Sequence, residues 1–325
     1  MRVFVTGGTG FIGGQTVKRL VGARHEVCCL VRSLSAPSLL NELGVRLAPG
    51  DLTRKETLLD GMKGCNCVIN IGGAYSFWRA DRRSYEAVNV GGTRNIMEAA
   101  LETGVSKVVH VSTVAVYGKP AVSPVTEQVP PGAIRFSEYA ETKYQGERIA
   151  WVLHQTKGLP LVVVYPGAVL GPADPKASGE YIQNVINRRM PATVLTDASF
   201  PFVHVNDVAE SIVRAAEKPG NLGERYLLTA ENLTFGRINQ LIAEISGVAL
   251  PRFRLPDPLV MGGAAFLTVM AWLTKKPPML GLSLEQMRTM RNGPVIDGSK
   301  AERELGIHYT PIREALKDAI ESYRH

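Results

Sequence analysis

Cysteine is scarce in this chain, and its placement suits neither a metal site nor a disulfide framework. Four occur among 325 residues: Cys28, Cys29, Cys65 and Cys67. They sit in two close pairs inside apolar runs, with no Cys-x-x-Cys spacing and no partnering histidine. That argues against zinc and for buried, reduced thiols in a cytoplasmic protein. None of the six histidines is paired at i, i+4, so no metal site is expected. Aromatic residues make up 7%, and the lysines and arginines are scattered rather than interleaved with them. The net charge of +7 thus carries no nucleic-acid signature and suits an anionic cofactor or, alternatively, an anionic membrane surface. Repeats and low-complexity tracts are absent. With a strand-like run beginning at Arg2, no signal peptide is expected.

What is present starts with that run. Arg2-Val3-Phe4-Val5 leads directly into glycines at Gly7, Gly10 and Gly13, followed by a helix-like segment over 15–20. A strand, a glycine turn and a helix in this order bring backbone N–H groups and the positive end of a helix dipole to a pyrophosphate. Gly7 is expected to permit the turn, Gly10 to admit the phosphates, and Gly13 to let the helix lie close on the sheet.

Strand-like runs then recur at 26–31, 45–47, 67–71, 107–111 and 161–165. Helical segments are predicted at 55–62, 92–102, 139–154 and 208–217. The alternation predicts an α/β fold, a doubly wound parallel sheet covered on both faces. Beyond Pro166 it lapses into a smaller C-terminal lobe closed by an amphipathic helix over 312–323, while 202–205 and 224–228 read as strands returning to the core. The uncharged segment 259–273 is shorter than the roughly 20 residues a spanning helix needs. Arg252, Arg254 and Asp257 precede it, and Lys275 and Lys276 follow. It reads first as a helix packed over the active-site cleft, and second as a peripheral membrane contact.

The second strand ends in Arg32 and Ser33, where a site selecting NAD ordinarily carries a carboxylate for the ribose 2′-hydroxyl. A guanidinium there would bind a 2′-phosphate, which favours NADP over NAD; an ordinary surface arginine is the alternative. Gly50-Asp51-Leu52 follows the third strand, at the level expected for the adenine. Tyr139 and Lys143 lie one turn apart on one helix face. An ammonium beside a phenol favours the phenolate and should lower its pKa from about 10, making proton exchange with an alcohol or ketone oxygen feasible. Lys143 is also placed to hold a nicotinamide ribose, and Thr113, just past the 107–111 strand, to meet the same substrate oxygen.

With these residues in view the chain resembles the extended short-chain dehydrogenases/reductases. The resemblance rests on Thr6-Gly7-Gly8-Thr9-Gly10-Phe11-Ile12-Gly13, Gly50-Asp51-Leu52, Asn89-Val90-Gly91-Gly92-Thr93, Ser112-Thr113-Val114-Ala115-Val116-Tyr117-Gly118, and Tyr139 with Lys143. Further along come Pro166-Gly167-Ala168-Val169-Leu170-Gly171-Pro172, Phe202-Val203-His204-Val205-Asn206-Asp207-Val208, and Ser299-Lys300-Ala301 before Glu304-Leu305-Gly306. It implies a Rossmann-type NAD(P)-binding domain over 1–166, with returning segments near 202–230. A substrate-binding lobe would comprise 167–201 and 231–325. The implied catalytic set is Thr113, Tyr139 and Lys143. Implied cofactor contacts are Gly7, Thr9, Gly10, Phe11, Ile12, Gly13, Arg32, Asp51, Leu52, Gly72, Gly73, Asn89, Val111, Tyr139, Lys143, Pro166 and Val169. Ala74, Tyr75, Thr113 and Tyr165 would meet substrate, and helices 92–102 and 139–154 would form a homodimer. Two departures stand out: Asn70-Ile71-Gly72-Gly73-Ala74 replaces the usual His or Leu followed by alanines, and Asn206-Asp207 replaces Asp-Asp.

Two reactions compete. Nucleotide-sugar epimerases and dehydratases of this family typically place an Arg-Asp pair where this chain has Phe200-Pro201. A diphosphate without that guanidinium loses a charge-assisted bond of roughly 1.5–3 kcal/mol, unless Arg188 or Arg189 substitutes. The other subgroup resembles dihydroflavonol reductases, 3β-hydroxysteroid dehydrogenases and hopanoid-associated epimerase-like proteins. There Tyr75, Phe77, Trp78, Tyr165 and 259–273 would line an apolar cleft; the alternative is that these aromatics are simply core. The expected activity is NADP(H)-dependent hydride transfer at a carbonyl or carbinol carbon of an apolar or ring-containing molecule, with NAD(H) as second cofactor. The epimerase/dehydratase remains the alternative. A cofactor-sensing module without chemistry is the third reading, opposed by the intact Thr113, Tyr139 and Lys143.

Overall fold

The computed structural model describes residues 1–34, 38–76, 78 and 83–324. Seven parallel strands form the main sheet: β1 (Arg2–Thr6), β2 (Glu26–Val31), β3 (Arg46–Pro49), β4 (Cys67–Asn70), β5 (Lys107–Val111), β6 (Leu161–Pro166) and, late in the chain, β9 (Arg225–Leu228). Their order is β3-β2-β1-β4-β5-β6-β9. The chain winds outward from β1 to β3 and then crosses to β4 on the other side. The carboxyl ends of β1 and β4 therefore open a crevice at the point where the winding reverses.

Side-chain alternation explains why both faces are covered. On β1, Val3 and Val5 enter one apolar cluster and Phe4 the other. Helices α1 (Phe11–Gly22) and α8 (Val205–Glu217) cover the first face. The second is covered by α3 (Lys55–Met62), α5 (Thr93–Thr103) and α6 (Glu138–Lys157). The short helices α2 (Ser38–Glu42) and α4 (Arg83–Tyr85) lie in connections, and α5 follows a wide π turn over Glu86–Gly92.

A second sheet of three strands, in the order β10-β8-β7, comprises β7 (Ala168–Leu170), β8 (Ser199–His204) and β10 (Glu231–Thr234). The 202–205 run, read as a strand returning to the core, pairs in this second sheet over 202–204, and Val205 begins α8. Its Val203 packs into the core cluster while Phe202 faces a third cluster. A strand apolar on both faces looks central from sequence whichever sheet it joins. The third cluster lies among β8, α7 (Ala177–Ile186), α9 (Phe235–Ser246), α10 (Asp257–Thr274), α11 (Leu284–Arg291) and α13 (Ile312–Ser322). Helix α12 (Ser299–Leu305) joins the first cluster through Ala301 and Leu305.

Candidate active site

The β1–α1 turn is built as its glycines require. Gly7 has φ +73, and a Cβ there would sit 2.7 Å from the Gly72 nitrogen. A Cβ on Gly13 would lie 1.9 Å from the Gly7 carbonyl oxygen, so Gly13 lets α1 close on the turn itself rather than on the sheet. Gly10 is the N-cap and offers no side chain to the first-turn N–H groups, and no acidic residue occupies that turn. The Thr6 hydroxyl donates to Asn70 Oδ1 (2.6 Å) and accepts from the Gly72 N–H (3.0 Å), holding the β4 loop against the turn. This backbone cradle fits a dinucleotide pyrophosphate: side chains at Gly7 and Gly13 would disrupt the turn, and a helix N-terminus without a side-chain cap favours an anion.

From this cradle a cavity of about 620 Å³ runs across the carboxyl ends of the strands into the C-terminal lobe. Its wall includes Gly7, Thr9, Gly10, Phe11, Ile12, Gly13, Arg32, Asp51, Leu52, Gly72, Gly73, Ala74 and Tyr75. It continues through Val111, Thr113, Tyr139, Lys143, Pro166 and Val169, so most residues singled out in the sequence meet in one space. Arg32 is exposed at the end of β2. Asp51 accepts from the Thr53 N–H (2.8 Å) and hydroxyl (2.7 Å), and these bonds hold its carboxyl below the usual range.

Two expected contacts are corrected. Asn89 does not line the cavity: it is buried, accepts from the Ala74 N–H (2.8 Å) and donates to the Ala74 carbonyl (3.0 Å). It sets the path of the β4 loop and reaches a bound molecule only through it. Tyr165 is not in the cleft either, because strand alternation turns it to the opposite face from Val164. There it donates to Glu147 (2.6 Å) and meets the Tyr117 ring edge-on.

Ser137 caps α6 by accepting from the Ala140 N–H (3.2 Å), which places Tyr139 and Lys143 on consecutive turns facing the cavity. Thr113 accepts from the Ala115 N–H (3.3 Å), and its hydroxyl hydrogen-bonds Tyr139. Lys143 is buried and donates to the Val111 carbonyl (2.7 Å). Burial pushes its pKa down to about 8, opposed by the charge of Glu147 one turn on. Tyr139 departs from expectation. Burial holds its phenol above the ordinary range, opposed by the Thr113 hydrogen bond, and Lys143 is not among the groups that lower it. The desolvated ammonium is directed at the Val111 carbonyl, so the phenol stays protonated.

The far end of the cavity is aromatic, but not with the aromatics expected. Phe200, Phe202 and Phe235 form a cluster with ring centroids 6.0–6.3 Å apart, joined by Tyr181, Ile238 and Met290. Among the described residues of the expected set, Tyr75 lines the cavity and Trp78 does not; Phe77 lies outside the described residues. Segment 259–273 does not cover the cleft: α10 leaves most of its surface exposed, and α11 contributes Gln286, Thr289 and Met290 in its place. Arg188 and Arg189 are exposed and outside the cavity wall. Sequence reasoning missed α7, α9 and α11. Their apolar periodicity was available, but nothing local says which faces turn toward the cavity.

Among the described residues no cluster of His, Cys, Asp or Glu is arranged to hold a metal, and the four cysteines are free thiols. The family model described as the NAD dependent epimerase/dehydratase family matches residues 3–228. The chain is 32% identical to "Sterol demethylase protein B" of Methylococcus capsulatus, over 100% of this chain and 98% of that one. It is 31% identical to the "4-hydroxy-2-methyl-3-oxo-4-farnesyl-3,4-dihydroquinoline-1-oxide ketoreductase" of Stigmatella aurantiaca, over 94% and 91%. The crystal structure of gox2253 superposes with a TM-score of 0.84 at 33% identity, covering 99% of this chain and 97% of that one. The chain belongs to the NAD-dependent epimerase/dehydratase family of extended short-chain dehydrogenases/reductases, and is an enzyme of that type.

Proposed function

We propose that this enzyme is an NADP(H)-dependent ketone reductase, or the alcohol dehydrogenase of the reverse direction, acting on an apolar or ring-containing substrate. The observation that carries the reading is the far end of the cavity: a phenylalanine cluster stands where a nucleotide sugar would need cations. Among the described residues Arg32 is the one arginine in the cavity wall, and it lies at the opposite, nucleotide end. The names of the ketoreductase and sterol demethylase relatives are consistent with lipid-like substrates.

When bound, the nicotinamide supplies or takes the hydride. The chain's own residues do the rest. Thr113, fixed by the Ala115 N–H, orients the substrate carbonyl oxygen beside Tyr139. The protonated phenol donates its proton to that oxygen as the carbon becomes a carbinol, and the resulting phenolate lies one turn from the Lys143 ammonium. Lys143 is also placed to hold the ribose. Arg32, with no carboxylate ending β2, supports a 2′-phosphate and hence NADP. The enzyme is further proposed to be a homodimer through α5 and α6.

A nucleotide-sugar epimerase is the second reading, favoured by Lys176, which reaches the cavity wall near Tyr75. NADPH consumption with a panel of cyclic and long-chain ketones tests the first. Retention of NAD through purification, with binding of UDP-sugars and no net cofactor turnover, would decide for the second.

A further inference from the structure

Helix α10 is apolar around its circumference, yet the protein covers only a narrow stripe of it. At about 100° per residue, the buried Val260, Ala264 and Ala271 fall within roughly 40° of arc. Leu259, Phe266, Val269 and Leu273 lie on the opposite arc, Trp272 beside them, with Phe266 65% and Trp272 64% exposed. No charged residue occurs over 258–274. A helix apolar on every side is ordinarily enclosed by protein or by lipid, and an exposed patch of this kind marks a contact.

The rim supplies the chemistry of that contact. Arg252, Arg254, Lys275 and Lys276 flank the helix and are exposed. The nearby acids Asp197 and Asp257 are paired with Arg254 and Arg291. The Lys275 ammonium lies 4.7 Å from the centre of the Trp272 ring, with its stem free to run along apolar surface and its head at the rim. An apolar, aromatic centre with a cationic border matches an anionic bilayer, whose acyl region takes the rings and whose phosphates take the cations. A second copy of the same patch would instead bring two cationic borders together.

We propose that α10 lies along the surface of an anionic bilayer. It lies on the membrane rather than through it, because Val260, Ala264 and Ala271 fix it lengthwise to the body and Thr268 Oγ1 accepts from the Leu284 N–H (2.8 Å). Helix α11, on which α10 packs, lines the apolar end of the cavity with Gln286, Thr289 and Met290. Docking therefore sets that end one helix away from the lipid.

The test is co-sedimentation of the full chain with vesicles of phosphatidylcholine and phosphatidylglycerol, against phosphatidylcholine alone. The wild type should pellet with the anionic vesicles. Phe266→Ser with Trp272→Ser, and separately Lys275→Glu with Lys276→Glu, should each weaken binding about tenfold or more at an unchanged unfolding temperature. A wild type that stays in solution with anionic vesicles, or variants that bind as it does, would overturn the proposal. So would a lipid-free dimer, seen by light scattering, that the Phe266→Ser/Trp272→Ser variant dissociates, since that assigns the patch to a second copy.

Discussion

The ring of Tyr75 meets the ring of Tyr139 edge-on, with centroids 4.9 Å apart and planes at 88°. One residue comes from the loop after β4 and the other from the first turn of α6. The contact thus ties the position of the phenol to a loop that Asn89 holds in place. Tyr75 also excludes water from Tyr139, and burial is the largest influence keeping that phenol protonated.

Tyr75→Ala should therefore lower kcat for ketone reduction by roughly threefold to tenfold, the equivalent of an aromatic pair worth about 0.5–1.5 kcal/mol. The Tyr139 pKa should move down toward the ordinary phenol value as water enters. Steady-state kinetics and ultraviolet titration of the phenols check the two effects separately.

The pH dependence follows from Lys143. Its pKa is pushed down to about 8, so its positive charge is lost as pH rises through that value, while Tyr139 stays protonated well above it. The rate of reduction should fall above about pH 8 with Lys143, not Tyr139, setting the basic limb. Stability moves the other way. Between about 8 and the ordinary lysine range the unfolded chain binds the extra proton, so this group's contribution to stability rises with pH across the window. Denaturant unfolding of the wild type against Lys143→Met, at pH 7 and pH 10, should show the difference growing in the wild type's favour.

Glu147 links this titration to the sheet. It is buried and accepts from Ser112 (2.6 Å), Trp151 Nε1 (3.1 Å) and Tyr165 (2.6 Å), and its charge raises the Lys143 pKa. Glu147→Gln removes the charge and keeps the size. The basic limb should move below pH 8, with a loss of stability of about 1.5–3 kcal/mol from the weakened charge-assisted bonds. A pH–rate profile unchanged from the wild type would mean that Glu147 serves packing alone.

Arg32→Ala should raise the Kd for NADPH by roughly tenfold to a hundredfold, as expected for one lost charge-assisted phosphate contact, and leave NADH nearly unaffected. Parallel titrations of the two cofactors read the ratio directly. An equal loss for both would place the guanidinium away from the 2′-position.

The dinucleotide half was legible because its constraints are local. Gly7 is demanded by its positive φ and Gly13 by its contact with the Gly7 carbonyl, both within one turn, and Tyr139 and Lys143 share a face by helical periodicity alone. The substrate half was not. Tyr165 and Trp78 carry the same aromatic signal as Phe200 and Phe235, and which of them faces the cavity depends on strand alternation and on the packing of α7, α9 and α11 across the second sheet. The 259–273 run reads first as a cover for the cleft, ahead of a membrane contact, because apolar length suggests burial; exposure is a tertiary property, and α11 takes the place expected of it. The direction of the Tyr139 shift was missed for a related reason. Charge proximity can be read from an i, i+4 spacing, but desolvation depends on the surrounding wall.

The central claim is that the Tyr139 phenol delivers the proton in an NADPH-dependent carbonyl reduction. Tyr139→Phe, assayed for NADPH oxidation with an apolar cyclic ketone that the wild type reduces and for NADPH binding by fluorescence titration, tests it most directly. The account predicts a loss of turnover of about a hundredfold or more, in line with general acid catalysis, with NADPH affinity within a few-fold of the wild type. Turnover equal to that of the wild type in the Phe variant would contradict it.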